Sequence, residues 1–312
     1  MLVRAAYVAT AFGHEAVVVF FVLSGMLVGG AVIDTLRSDR WSPSHYVRQR
    51  TTRLYVGLVP GLALTAFWDS IGRFAPNASL YSTGRSTLLV FAGNLAFLQG
   101  TLVPSFGSNT PLWSLANEAC YYAAFPLIFV PLYRRRGWSA ATVGLTLICL
   151  FGIRNNTIPS GFVLWLMGVA AAHSPKARWM AWRTAPLVGG LSLAVTLAVA
   201  HGVAPGFASD LCAAIGTVIL LMTICEQRGR CSPFMTILSR ELSSCSYTLY
   251  VVHMPIIACF AAWRLSSERL VPTTAIGVEV VAVLILILAY AYGVAQLTER
   301  HTDKIRAWLS RA

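Results

Sequence analysis

The chain has 312 residues, 56% of them hydrophobic and 12% charged, about half the roughly 25% charged share of a soluble globular domain. That excludes an ordinary soluble enzyme, and the apolar residues fall in repeated blocks of 15 to 23, the length of a bilayer crossing. A net charge of +12, with 22 of 24 basic residues being arginine, then serves to orient loops and does not imply a nucleic-acid partner.

Apolar runs bounded by charge, Pro or Gly predict nine full spans, at 16–33, 54–71, 111–132, 139–153, 159–173, 185–201, 207–225, 245–263 and 274–296. The first carries Gly25 and Gly29 as GxxxG, which lets another helix approach closely. Its Ser24 is expected to bond to its own helix or to a neighbour. Before the second span runs a strip with Arg48, Arg50 and Arg53. Arg50 and Arg53 share a face, and two readings stay open: a bidentate phosphate site, or ordinary arginines at a cytoplasmic helix end.

The run Ser86 to Gln99 is shorter, about 14 residues, and contains Asn94. A half or re-entrant segment fits it better than a crossing. The basic residues support this. If 86–99 does not cross, the loops 34–53, 133–138, 174–184, 226–244 and the tail after 297 lie on one side and hold 18 of the 24 basic residues. The opposite side keeps Arg4, Arg73, Arg85, Arg154, Arg264 and Arg269. A crossing at 86–99 would reverse the bias for most of the chain. The expected fold is therefore an all-α polytopic membrane bundle of about nine transmembrane helices plus one half-segment. It forms a single domain over 1–312, with the N-terminus outside and the C-terminus cytoplasmic.

An ionisable side chain at membrane depth costs at least about 2.5 to 3.5 kcal/mol on insertion scales and points to function. Glu118 lies seven residues into its span, with Ser114 four residues before it on the same face and Tyr121 and Tyr122 one turn on. It either lines a site or pairs with an arginine to join two helices. His253 follows Tyr250 by three residues and Ser246 by seven, along one stripe. It is either a general base, with an unperturbed pKa near 6.5, or an interhelical hydrogen bonder beside Pro255. Glu279 has no polar companion at helical spacing and is expected to be structural. The seven cysteines, Cys120, Cys149, Cys212, Cys225, Cys231, Cys245 and Cys259, include no CxxC pair and read as small buried hydrophobes. No metal site is expected, and no P-loop, dinucleotide fingerprint, HExxH or GxSxG motif occurs.

Five blocks in order resemble the acyltransferase 3 family of integral membrane acyltransferases: Phe20-Phe21-Val22-Leu23-Ser24-Gly25; Arg50-x-x-Arg53-x-Tyr55 ending in Pro60; Trp113-Ser114-Leu115-x-x-Glu118-x-x-Tyr121 ending in Phe125-Pro126; Ser246-Tyr247-x-Leu249-Tyr250-x-x-His253-x-Pro255; and Glu299-Arg300. The resemblance implies a bacterial inner-membrane protein moving an acyl group, commonly acetyl from acetyl-CoA, to an acceptor hydroxyl on a polysaccharide, lipid-linked sugar or other molecule. No cofactor is held; acyl-CoA is a co-substrate. Arg50 and Arg53 match the family's RxxR pair and would handle the donor. Glu118 and His253 would move protons, and Ser114 and Tyr250 would orient the acceptor.

The family's first helix carries an Arg and a His ten residues apart, and that His is its favoured catalytic residue. Arg4 and His14 do not match it, because His14 lies only six residues before the start of the first block, where the family has its variable loop. The expectation is a further helix ahead of Met1, lost to a late start or a truncated gene, giving ten helices with both ends inside. The competing class is a non-catalytic carrier or an inactive relative.

Overall fold

The computed structural model describes residues 12–78, 85–175, 180, 182, 184–202, 206–226, 233–264 and 273–309. Arg4, Cys231, Arg269 and parts of the loops 174–184 and 226–244 lie outside the described residues. Eleven helices follow one another among the described residues: α1 Gly13–Arg37, α2 Pro43–Gly72, α3 Leu88–Leu95, α4 Leu112–Arg134, α5 Trp138–Arg154, α6 Thr157–His173, α7 Ala185–Gly202, α8 Phe207–Glu226, α9 Pro233–Arg264, α10 Thr274–Leu297 and α11 Thr302–Leu309. The described residues contain no strand, and one isolated bridge joins Gln99 to Val103. The all-helical expectation holds.

Among the described residues six helices are long and apolar enough to cross a membrane: α1, α2, α4, α8, α9 and α10. The other three predicted spans coincide with shorter apolar helices, α5, α6 and α7. The segment 86–99 contains only the eight-residue α3, which at about 1.5 Å per residue reaches about 12 Å, against about 30 Å of hydrocarbon. Asn94 on α3 then ties down the returning chain, donating to Pro104 O at 2.9 Å and accepting from Phe106 N at 3.1 Å.

Helix starts follow local chemistry. Ser42 caps α2 and Pro43 takes its first turn, a position where the missing N–H costs nothing. α2 thus begins eleven residues before its apolar stretch at 54, lifting Arg48, Arg50 and Arg53 onto regular helix.

The chain divides into two compact units. One gathers 42–119 and the chain from 234 on; the other gathers α1 through Trp41 and 120–233, so the division falls within α4. A single domain is the expectation from sequence; the two units alternate along the chain. In the second unit α1 lies against α6. A Cβ on Gly25 would meet the Trp165 carbonyl, and one on Gly168 the Val22 carbonyl, so small residues permit backbone contact. At Gly25–Gly29 the helix loosens into a π turn. Trp165 Nε1 donates to Ser24 Oγ at 3.2 Å, and Ser24 also bonds Tyr122 Oη at 3.2 Å, so Ser24 serves its neighbours. Of the described cysteines Cys245 and Cys259 are buried, Cys120, Cys212 and Cys225 half-buried, and Cys149 exposed, which corrects the expectation for Cys149. It lies on α5 among Leu145, Leu150 and Ile153, all outward-facing apolar residues.

Candidate active site

All six predicted site residues belong to the first unit, on three helices: Arg50 and Arg53 on α2, Ser114 and Glu118 on α4, Tyr250 and His253 on α9. Ser114 and Glu118 are both buried. Tyr250 Oη donates to Pro111 O at 2.6 Å. That uses its proton, so in the short hydrogen bond between Ser114 Oγ and Tyr250 Oη the serine donates. Glu118 lies within electrostatic reach of the Tyr46, Tyr247 and Tyr250 hydroxyls. The charge of this carboxylate is thus felt by three phenols, one on α2 and two on α9.

His253 directs Nδ1 at two carbonyls of its own helix, Tyr250 O at 2.8 Å and Leu249 O at 3.1 Å. A carbonyl only accepts, so Nδ1 carries the proton in the neutral ring and Nε2 keeps its lone pair. These are bonds within α9, not the interhelical bond considered from sequence. Ser246 does not share this environment: it is exposed and bonds back to Ser243 O at 3.0 Å.

The two arginines of α2 diverge. The Arg50 guanidinium lies over the Tyr46 ring, 5.6 Å from its centroid. Arg53 lies over Tyr247 at 5.1 Å and donates Nη1 to Glu299 Oε2 at 2.7 Å. The other Glu299 oxygen accepts from Thr248 N at 2.7 Å and Thr248 Oγ1 at 2.5 Å. Tyr247 Oη donates to Leu54 O at 2.6 Å, completing the join of α2 to α9. Beside Arg53 opens a cavity of about 440 Å³, lined by Arg53, Glu241, Tyr292, Gln296, Glu299 and Arg300.

Glu279, expected to be structural, pairs with Arg264 at 2.8 Å and links α9 to α10. Sequence reasoning missed Asp69 and Asn109. Asp69 is buried and accepts from Ser108 N at 2.9 Å and Ser108 Oγ at 2.5 Å. Gly107 adopts a φ of +56° directly over this carboxylate, a conformation that suits a residue without Cβ. Asn109 Nδ2 donates to Thr65 Oγ1 at 3.0 Å and Val251 O at 2.7 Å. The rule that singled out Glu118, a charge inside an apolar run, also applies to Asp69 in 54–71. Asn109 carried no comparable signal.

Helices long and apolar enough to cross a membrane, with a carboxylate buried on one of them, define the class as a membrane protein. The chain belongs to the acyltransferase domain family, a family of transferases, which matches residues 2–295. It is 26% identical to the acyltransferase MdmB of Streptomyces mycarofaciens over 80% of this chain and 69% of that protein. It is 29% identical to an uncharacterized protein of Haemophilus influenzae over 43% of this chain and 56% of that one. No solved structure matches.

Proposed function

We propose that the protein transfers an acyl group, acetyl first among candidates, from acyl-CoA to a hydroxyl of a carbohydrate or lipid-linked acceptor, in the bacterial inner membrane. The carrying observation is Glu118, 3% exposed, on a membrane-length helix, within electrostatic reach of three tyrosine hydroxyls and in the same unit as the α2 arginines. A base removes the acceptor proton, and the oxygen attacks the thioester carbonyl. The C–O bond forms as the C–S bond breaks, and the departing CoA sulfur takes up a proton. Glu118 and His253, the latter through Nε2, are the proton-handling groups of this unit. Ser114 and Tyr250 orient the acceptor, and Arg50 and Arg53 attract the donor phosphates from the cytoplasmic side.

Glu118→Gln keeps the size and removes the proton acceptor, so acceptor acylation in membranes at matched protein level should fall at least about 100-fold. Unchanged acylation would remove Glu118 from the chemistry. Arg50→Ala with Arg53→Ala should weaken acyl-CoA binding by at least about tenfold. A wild-type chain binding no CoA thioester would instead be a carrier or an inactive relative.

A further inference from the structure

We infer that the phosphate-bearing end of the donor, drawn in by the α2 arginines, comes to rest in the cavity beside Arg53, with Arg53 and Arg300 as the cations that hold it and Arg50 outside it. This rests on the acyl-CoA reading above. Arg50 lies over Tyr46 and is not among the described residues lining the cavity. Arg53 lines it, oriented from two sides. Tyr247 supports the guanidinium face, and Glu299, its side chain largely covered, holds one Nη1. A guanidinium has five N–H donors, so one carboxylate oxygen leaves donors for a ligand, and the second Glu299 oxygen is committed to Thr248.

Arg300 is held by a neutral group, donating Nη1 to Gln296 Oε1 at 2.8 Å. Among the described residues it makes no ion pair, so its charge is uncompensated by an acid of its own. Two arginines from different elements thus border one cavity of about 440 Å³. That size falls in the roughly 300–1,000 Å³ range of small-molecule sites and suits the phosphate end of CoA, leaving its acyl arm to run elsewhere. Glu241, exposed on α9, lines the same cavity with the charge of a phosphate. Its carboxylate should therefore weaken an anion bound there, which fixes the sign of a test.

The test is calorimetric titration of CoA into the purified full chain in detergent, for wild type, Arg300→Gln and Glu241→Gln. Both side chains are exposed, so folding should survive either change. Arg300→Gln should weaken binding about tenfold or more. Glu241→Gln should tighten it about two- to fivefold, and raising the salt should shrink that gain. CoA bound equally by all three proteins, or more weakly by Glu241→Gln, would overturn the cavity assignment and leave the donor reading standing. A wild-type chain that binds no CoA would overturn both.

Discussion

Glu299 shows how one carboxylate organises the join of α2 to α9. Its two oxygens accept from a guanidinium, a backbone N–H and a hydroxyl, from α2 and α9. Arg53 is 41% exposed at its side chain while Glu299 is 7% exposed. Water can therefore rescue the arginine, while Thr248, itself buried, cannot be rescued. Removing the carboxylate should cost about 1–3 kcal/mol, the desolvation penalty of an orphaned buried donor. Glu299→Gln can keep its amide oxygen on Thr248 and turn its NH₂ toward Arg53, which water reaches, so it should recover most of the loss. Thermal unfolding in detergent should place Glu299→Ala below wild type and Glu299→Gln between the two; a glutamine variant no more stable than the alanine one would refute this account. In sequence, Glu299 stood out only through its place in an ordered set of blocks, since its partners lie 246 and 51 residues away. Glu118 was legible because it interrupts an apolar run.

At the scale of elements, α9 contains Pro255, and a helix-interior proline leaves the carbonyl four residues earlier without a donor. That carbonyl is Val251 O, and Asn109 Nδ2 supplies the bond at 2.7 Å. Inside a membrane an unpaired carbonyl is costly, so the loop before α4 repairs the kink next to His253. Asn109→Leu, of similar size, should destabilise by about 1–3 kcal/mol. Thr65 should lose little, since its hydroxyl already donates to Gly61 O at 2.7 Å. In a Pro255→Ala background the new N–H can bond Val251 O, so the cost of Asn109→Leu should shrink. A double-mutant cycle by thermal unfolding should show coupling of about 0.5–3 kcal/mol, and strictly additive effects would rule out the repair. The Pro255 interruption was visible in the sequence, but its repair was not. The bond joins residues 142 apart and depends on the turn through Gly107 and Ser108 that Asp69 fixes. The apolar runs located every long helix, yet they underestimated α2 and α9, whose ends leave the apolar stretch and continue on polar residues.

For the whole molecule, apolar side chains face outward along most helices, with α10 the extreme case: Val278, Val281, Ile285 and Leu286 are all exposed. This is the surface a helix presents to lipid, where burial in protein is not required. The arginine bias predicts the 133–138 loop and the tail after 297 on the cytoplasmic side. That assignment depends on α3 not crossing, because a crossing there would place Arg135 on the same side as Phe74. Its eight residues, together with the Asn94 bonds that return the chain through Pro104 and Phe106, favour the re-entrant arrangement. On a background free of the seven native cysteines, single Phe74→Cys, Arg135→Cys and Lys304→Cys variants can be challenged with a membrane-impermeant maleimide. Phe74 is strongly exposed after α2, so its cysteine should label in intact spheroplasts. The cysteines at 135 and 304 should label only after lysis. Labelling of positions 74 and 135 from the same side would mean that the 86–99 segment traverses the bilayer, and the cytoplasmic placement of the arginine cavity would fall with it.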